Sequence, residues 1–472
     1  MSTIKNKMTR MLLKEGLDLA IHHMEKNPET GMQDVAMLVN KYFKPTPYDR
    51  NQMGQNTFSY MEQYLRNPQS KWRRYAEDLL RDIDKNVLKT FILNSAYEAG
   101  YKGNNLRHQL MEQKLCNIPW AILFDPTSMC NMHCTGCWAA EYGHMLNLSN
   151  EDMDAIVRQG EKIGCHFYLL TGGEPLMRKN DIIILARKHP TSEFHIFTNG
   201  SLITDEFCQA AVAVGNLSFS LSIEGFEKAN DERRGKGSFR RIMKAMDILH
   251  RNRLLFGISV CYTKLNYKNV TSDEFLDMVI EKGCKYAWYF HYMPVGNEAV
   301  PDLLLSPDER TYMYHRVREI RSEQCDKLFF AIDFQNDGEF IDGCIAGGRA
   351  YLHINANGDI EPCVFIHYSD TNIHTGTVME ALENPLFMAY HTRQPFNENL
   401  LQPCPMLENP SILPEIIRES KAPSTDLQSP ESAEHLCAKC KKYAKDWQAA
   451  ADTLWMESGH SGHSGHSGNR VS

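Results

Sequence analysis

The sequence lacks an apolar run long enough to cross a membrane. The uncharged stretch 207–223 has 17 residues and is interrupted by Gly215-Asn216, whereas a spanning helix needs about 20. Charged residues are distributed throughout the N-terminal segment, which has no apolar block followed by a small-residue cleavage site, so no secretion signal is indicated. We therefore expect a cytosolic (cytoplasmic) protein.

The composition lacks any strong bias. Hydrophobic residues make up 42% and charged residues 23% of the 472 residues, near the averages for globular proteins, which excludes a collagen-like, coiled-coil or mainly disordered chain. The length is about three times a typical domain of ~150 residues. Two or three domains are expected.

Acidic residues outnumber basic residues outside the first 115 residues. This segment holds 18 Lys and Arg against 13 Asp and Glu, so a net charge of −8 for the whole chain leaves −13 for the remainder. Such an acidic remainder argues against a nucleic-acid-binding catalytic body. The weakly basic N-terminal surface leaves an acidic partner or an anionic membrane surface open, although a solvated helical face explains it more simply.

Cysteine is absent before residue 116, although the chain has 14 in total. Cytosolic thiols are kept reduced, so these cysteines predict metal or redox chemistry rather than disulfides. One group is compact and another gathers late in the chain: Cys130, Cys134 and Cys137, then Cys344, Cys363, Cys404, Cys437 and Cys440. The others, Cys261 among them, sit singly in apolar or helical surroundings and receive no role.

Residues 1–115 are predicted to form an all-helical N-terminal domain. Apolar residues recur at spacings of three and four over 72–91, which predicts one amphipathic helix there. Breaks are expected at Asn27-Pro28, at Pro45 to Pro47 and at Asn67-Pro68.

From residue 120 onward, short β-rich runs alternate with helical patterns, which is typical of βαβ units and a parallel sheet. Six strands are predicted, at 120–125, 166–171, 193–198, 217–223, 256–262 and 286–293. The intervening helices are predicted near 150–163, 181–187, 205–214, 238–252, 272–282 and 306–321. This α/β pattern fits a partial barrel or a doubly wound sheet, and either places the site at the carboxyl ends of the strands.

After about residue 325 the alternation of strand and helix patterns ends, and the sequence is instead interrupted by Gly, Pro and Cys, as expected where metal fixes the backbone. We predict a barrel over 116–325, a small cysteine-rich domain over 326–450, and a disordered Gly/His/Ser tail over 451–472. The three tail histidines could bind a transition metal weakly, but a flexible tail is the simpler interpretation.

The cysteine loop that follows the first strand is the sharpest chemical signal. Cys130, Cys134 and Cys137 stand at spacings of four and three, and three such thiolates can hold a cuboidal iron-sulfur cluster whose fourth iron has no protein ligand. The alternative is a zinc site completed by His133 or His144.

This loop resembles the CxxxCxxC motif of the radical S-adenosylmethionine (SAM) superfamily, in which SAM chelates the open iron. The resemblance implies a partial (β/α)6 TIM-like barrel and a 4Fe-4S cluster. The sequence departs from the family at one position, because Gly136 stands where an aromatic residue usually precedes the third cysteine.

Two further turns strengthen the resemblance. Gly172, Gly173, Glu174 and Pro175 follow the second strand and resemble the family's GGE motif; the glycines allow close backbone approach, and the carboxylate can accept hydrogen bonds from the SAM ammonium. Asn199 lies in an FTNG turn after the third strand, which resembles a segment frequent in these enzymes but also suits a simple turn before a helix.

The fourth strand and the stretch after it resemble the radical SAM branch that carries extra clusters. Polar groups on this strand bind the SAM ribose in that branch, which makes Ser220, Ser222 and Glu224 candidates on one face. Arg234 is a candidate for the SAM carboxylate, with a surface acid as its alternative partner.

The late cysteines resemble a SPASM or twitch domain, in which a β-hairpin presents two cysteines to an auxiliary 4Fe-4S cluster. Asn357-Gly358 between apolar runs is itself a hairpin signal. The resemblance implies one cluster, on Cys344, Cys363, Cys437 and Cys440, with Cys404 as a spare or alternative ligand. A zinc knuckle on the same cysteines is the competing interpretation.

The resemblance covers roughly residues 116–450 and implies an enzyme. Its cluster would reduce SAM to methionine and a 5'-deoxyadenosyl radical that takes a hydrogen atom from the substrate. A peptide or small molecule is the leading substrate, a lipid or membrane-associated molecule the alternative, and flavodoxin or ferredoxin the expected electron donor. The competing class is a non-enzymatic iron-sulfur or zinc protein.

Overall fold

The computed structural model of the protein describes residues 2–42 and 57–459. Two expectations lie outside the described residues: the break at Pro45 to Pro47 and the histidines of the tail beyond residue 459. No helix within the described ranges combines the length and the apolar content that a membrane span requires.

Helices precede the first strand, as the apolar spacing predicts. They are α1 (Ser2–Lys26), α2 (Pro28–Tyr42), α3 (Thr57–Arg66), α4 (Lys71–Asp82), α5 (Lys85–Phe91), a π-helical segment (Ile92–Lys102) and α6 (Gly103–Lys114).

The prediction of a single helix over 72–91 is wrong, because the chain breaks between α4 and α5. Ile83 is extended there, and the side chain of Asp84 caps α5 by accepting hydrogen bonds from the N–H groups of Asn86 and Val87. Ile83 is nevertheless buried. The apolar stripe therefore continues across a break that periodicity cannot detect.

Seven parallel strands lie side by side in chain order. They are β1 (Ala121–Phe124), β2 (Phe167–Leu170), β3 (Glu193–Thr198), β4 (Leu217–Ser222), β5 (Phe256–Tyr262), β6 (Tyr286–His291) and β7 (Phe330–Asp333). A doubly wound sheet reverses its strand order at a switch point, whereas this sequential order is that of a barrel. The structure thus decides between the two predicted architectures, and all six predicted strands are confirmed to within two residues.

The helices of the barrel are α7 (Asn150–Lys162), α8 (Lys179–Lys188), α9 (Asp205–Val214), α10 (Glu227–Arg234), α11 (Ser238–Arg251), α12 (Asp273–Glu281) and α13 (Pro307–Arg321). Six of these seven helices follow the prediction closely, whereas α10 was not predicted. Side-chain oxygens of Ser149, Thr204, Ser272 and Ser306 cap four of them.

The C-terminal region extends the same sheet. Strand β8 (Tyr351–Ile354) pairs parallel with β1, and β9 (Ile360–Glu361) folds back antiparallel on β8, which confirms the hairpin predicted from Asn357-Gly358. Strands on both sides of residue 325 belong to one sheet. The domain boundary predicted at about this residue therefore stays a prediction.

Up to residue 459, five helices follow the hairpin: α14 (Val378–Glu383), α15 (Pro385–Arg393), α16 (Ile412–Ser420), α17 (Ala433–Ala438) and α18 (Lys441–Glu457). Helix α18 includes residues 451–457, which the sequence pattern assigned to a disordered tail. They are helical because Ala451 and Leu454 pack into the core.

Candidate functional site

The predicted cysteine loop lines a cavity of about 190 Å³ in the barrel. Cys130, Cys134 and Cys137 all face it. Six further residues singled out by the sequence line the same cavity: Gly172, Gly173, Glu174, Asn199, Ser222 and Arg234. The fold thus brings together residues spread over about 100 positions of the chain.

The two glycines after β2 allow one loop to lie against another. The N–H of Gly173 donates to the carbonyl of Thr127 at 3.0 Å, and the next N–H donates to that of Met129 at 2.8 Å. A Cβ on Gly173 would lie 2.2 Å from the Met129 oxygen, and Gly172 has φ +96°. The close approach observed is therefore to the start of the cysteine loop, which the glycines hold in place.

Glu174 joins the GGE turn to the turn after β3. Its carboxylate accepts hydrogen bonds from the Thr198 hydroxyl at 2.6 Å, the Asn199 N–H at 2.8 Å and the Leu176 N–H at 3.0 Å. Burial raises the pKa of Glu174, and these donors oppose that rise. Since a carboxylate has about four acceptor sites, one remains for a ligand. Pro175 begins the 3-10 turn behind Glu174 and does not line the cavity.

Glu224 is buried behind the cavity rather than in its lining. It accepts hydrogen bonds from Arg234 at 2.7 and 2.9 Å, from Arg233, and from the N–H of Cys261 at 3.1 Å. Arg234 therefore pairs with a buried acid and not with a surface one, and its Nη1 lies 4.0 Å from the Cys134 sulfur. Glu224 holds two guanidinium groups beside the cysteines.

Ser220 does not reach the cavity. It is fully buried, and its hydroxyl bonds to Nε2 of His195 at 2.9 Å. Ser222, two residues closer to the carboxyl end of β4, lines the cavity together with Ser259, its register partner on β5.

The lining residues missed from the sequence include Arg233, Ser259, Cys261 and Tyr292. The alternation of Ser259 and Cys261 along β5 is a period-2 signal that could have found them. Arg233 could have been found because it is adjacent in the sequence to the candidate Arg234. In the structure both arginines pair with Glu224.

Arg233 carries the clearest sign that this cavity suits an anionic group. Its Nε is buried and has no hydrogen-bond partner. Burial opposes its charge, but neighbouring thiols and Glu224 raise the pKa of Arg233 above its ordinary value. A permanent positive charge with an unpartnered donor therefore borders a cavity lined by four thiols, three of them in the cysteine loop, which fits a thiolate-bound cluster and a carboxylate ligand.

The second cysteine group surrounds a separate cavity of about 60 Å³. Cys344, Cys363 and Cys404 line it, while Cys437 and Cys440 are buried but do not. The Tyr351 hydroxyl donates to the Cys363 sulfur at 2.8 Å. The backbone N–H groups of residues 406 and 407 point at the Cys404 sulfur, both at 3.4 Å.

Tyr390 also lines this second cavity, and its buried hydroxyl has no partner. Burial raises the pKa of Tyr390, and so do four nearby cysteines: Cys344, Cys363, Cys404 and Cys437. Four thiols are the usual donor set of an iron-sulfur cluster, and Cys404 lines this cavity together with Cys344 and Cys363.

Among the described residues, no three His, Cys, Asp or Glu side chains converge as ligands of a single metal ion. Cuboidal clusters do not need such convergence, because each cysteine binds a different iron. His133 and His144, the candidate fourth zinc ligands, pack edge to face at 5.5 Å between ring centroids.

Comparison with known proteins agrees with this geometry. Residues 124–279 match the model of the Radical SAM superfamily. The chain is 25% identical over 297 residues to an AdoMet-dependent heme synthase of Methanosarcina barkeri, covering 57% of this chain and 84% of that protein. It is 26% identical over 255 residues to the sporulation killing factor maturation protein SkfB of Bacillus subtilis, covering 52% of this chain and 60% of SkfB.

The fold is similar to that of a solved structure, Streptococcus suis SuiB bound to its precursor peptide SuiA. The TM-score is 0.53 at 18% identity, over 71% of this chain and 80% of SuiB. The barrel order and the cysteine loop after β1 agree with one conclusion: residues 124–279 match the radical SAM superfamily, whose enzymes use a 4Fe-4S cluster and S-adenosylmethionine.

Proposed function

We propose that Cys130, Cys134 and Cys137 hold the 4Fe-4S cluster and that SAM binds beside them in the same cavity. When bound, this pair supplies one-electron chemistry that removes a hydrogen atom from an unactivated substrate carbon. The observation that carries the proposal is the convergence of the three thiols, the Glu174 carboxylate and the Arg233–Arg234 pair on one cavity.

Different lining residues suit the positively and the negatively charged groups of SAM. The free acceptor site of Glu174 suits the SAM ammonium, and the unpartnered Nε of Arg233 suits its carboxylate. The hydroxyls of Ser222 and Ser259 suit the ribose. Ser220 and Glu224, although predicted for this role, act from behind the lining.

We further propose an auxiliary cluster on Cys344, Cys363, Cys404 and Cys437. Its cavity shares Met293 and Phe365 with the cavity of the cysteine loop. A cluster there would lie close enough to the substrate to accept an electron from it, and flavodoxin or ferredoxin would reduce the first cluster.

Two substrate classes have support. SkfB is a maturation protein for a killing factor, and SuiB was solved with a precursor peptide, which supports a peptide. An apolar chamber beside the cysteine cavity favours a second candidate, a molecule with a long hydrocarbon portion. A membrane-associated substrate agrees with the exposed Met8, Leu12 and Leu19, which are spaced along α1.

The test is SAM cleavage by the anaerobically reconstituted full chain with dithionite as reductant. We expect 5'-deoxyadenosine and methionine in equal amounts, and loss of both in Cys134→Ser. Cys261→Ser is the matched control, because Cys261 lines the same cavity outside the motif and its loss should leave the iron content unchanged. Zinc without iron or sulfide in the purified protein would overturn the proposal.

A further inference from the structure

The barrel also contains an apolar chamber with a volume of about 440 Å³. It shares five wall residues with the cysteine cavity: Leu123, Phe197, Phe290, Val364 and Phe365. A molecule that fills the chamber therefore ends beside the place proposed for SAM.

The wall of the chamber is almost entirely carbon. Aromatic rings such as Trp120, Trp288 and Phe334 dominate it. The two charged residues of the wall, Arg321 and Asp337, pair with each other through two bonds of 2.7 Å. The Tyr351 hydroxyl already donates a hydrogen bond to the Cys363 sulfur.

The mouth of the chamber is also apolar. Ile332 on β7 and Tyr351 on β8 both line the chamber, although these strands stand far apart in the order of the sheet. The chamber therefore lies where the partial barrel fails to close. Three lining residues are exposed there: Phe330 at 36%, Phe340 at 55% and Ile341 at 39%. Clustered exposed apolar residues mark a binding surface.

We propose that the apolar chamber binds the hydrocarbon chain of a lipid substrate, which passes through the gap between β7 and β8. This inference rests on the proposed function, because it assigns the substrate class of the same site. Polar atoms placed among these rings would lose their water without gaining partners. A peptide backbone carries a donor and an acceptor at nearly every residue, whereas a hydrocarbon chain carries none.

The size of the chamber agrees with this class. Pockets of roughly 300–1,000 Å³ bury most of a drug-sized ligand, which is larger than a single amino-acid side chain. The gain from burial grows with the apolar area removed from water. Affinity should therefore increase with chain length until the chamber is full.

The first test measures binding of cis-parinaric acid, an 18-carbon fluorescent fatty acid, to the cluster-free full chain. We expect saturable binding of one probe per chain. Hexadecanoic acid should displace it, octanoic acid should be at least about tenfold weaker, and a soluble leucine-rich decapeptide should not displace it. Displacement by the peptide at concentrations similar to hexadecanoic acid would overturn the lipid assignment in favour of a peptide.

Ile332→Trp tests the location, because the larger side chain fills the chamber. The probe should bind about tenfold more weakly or worse, whereas Ile184→Trp, the same change at an exposed residue of α8, should bind as the wild type does. Circular dichroism checks that both variants fold. Unchanged affinity in a folded Ile332→Trp contradicts the proposal.

A second measurement stands even if Ile332→Trp does not fold. Dibrominated stearic acid quenches tryptophan on contact, so a Trp120→Phe, Trp288→Phe variant, which removes both tryptophans of the chamber wall, should lose much of the quenching that the wild type shows at a saturating concentration of the probe. Equal quenching in both proteins would place the probe elsewhere and overturn the inference. These assays need neither cluster nor SAM. Failed lipid binding with intact SAM cleavage therefore rejects the substrate class alone, and the reverse result rejects the proposed function alone.

Discussion

The ring of Tyr292 lies directly against Gly136 in the cysteine loop. A Cβ at residue 136 would be 2.9 Å from Cε2 of the ring, and Gly136 has φ +67°. Radical SAM enzymes usually have an aromatic side chain at this position of the motif, and here an aromatic ring from the end of β6 occupies the neighbouring space. Tyr292 also lines the cavity and accepts the Val300 N–H at 3.0 Å through its hydroxyl.

This relationship predicts that Tyr292 packs on SAM. Tyr292→Ala should weaken SAM binding by roughly 10–100-fold, because aromatic stacking on a base contributes about 1–3 kcal/mol. Tyr292→Phe keeps the ring and should bind SAM within about threefold of the wild type. Equilibrium binding of SAM to the reconstituted protein measures both, and equal affinities for the Ala and Phe variants would contradict the assignment.

Glu224 should be essential to stability through the arginines that it pairs with. Glu224→Gln leaves Arg233 and Arg234 buried beside a neutral partner, which costs about 3–5 kcal/mol. Glu227→Gln is the matched control, because Glu227 pairs with Arg240 on the exposed side of α10 and such pairs contribute about 0–1 kcal/mol. Urea unfolding of the cluster-free chain compares them.

His353 should make stability depend on pH. Burial opposes its charge, but Asp125, with an oxygen 3.0 Å from Nε2, and Glu361 raise the pKa of His353 to about 10. A raised folded-state pKa stabilises the fold fully below about 6.5, the unfolded value, and this contribution is lost as pH rises to about 10. Thermal melts should therefore fall across that window.

His353→Gln should remove this dependence of the melting temperature on pH. It should also lower the melting temperature at pH 7, because two buried carboxylates lose their counter-charge. His374→Gln changes an exposed histidine that pairs with Asp152 and should leave the pH profile as it is. A wild-type melting temperature that is flat or rises between pH 6.5 and 10 would show that His353 is neutral in the fold.

Cys404 should bind iron and Cys440 should not. Cys404→Ser removes a thiol that lines the second cavity, so the protein should lose about four irons per chain, the content of one cluster. Cys440→Ser should retain them, because the proposed ligand set consists of the three cysteines that line the cavity and Cys437, which acts with them on the lining residue Tyr390. Iron and sulfide analysis after reconstitution measures both, and the opposite pattern would restore the ligand set inferred from resemblance.

The sequence predicted the barrel well because its signals are local. The strands are short buried apolar runs, and four of the helices begin at a capping side chain such as Thr204, so period and caps locate the elements. The order of the strands is a long-range property. Periodicity therefore left the barrel and the doubly wound sheet equally open.

The site was predicted where chain order coincides with spatial order. The cysteine loop and the GGE turn end neighbouring strands, so their meeting follows from the fold. The roles of Glu224 and Tyr292 depend on residues brought from elsewhere in the chain, namely the arginines of α10 and Gly136 of the loop. Cys404 was left as a spare because spacing alone does not show which cysteines share a cavity.

The most direct measurement is the electron paramagnetic resonance spectrum of the reduced, reconstituted protein with and without SAM. A Cys344→Ser, Cys363→Ser variant removes the auxiliary signal, so that only the cluster on Cys130, Cys134 and Cys137 is observed. We predict that SAM changes the spectrum, because one iron has no protein ligand. A spectrum identical with and without saturating SAM would show that this iron is closed to SAM and would contradict the account.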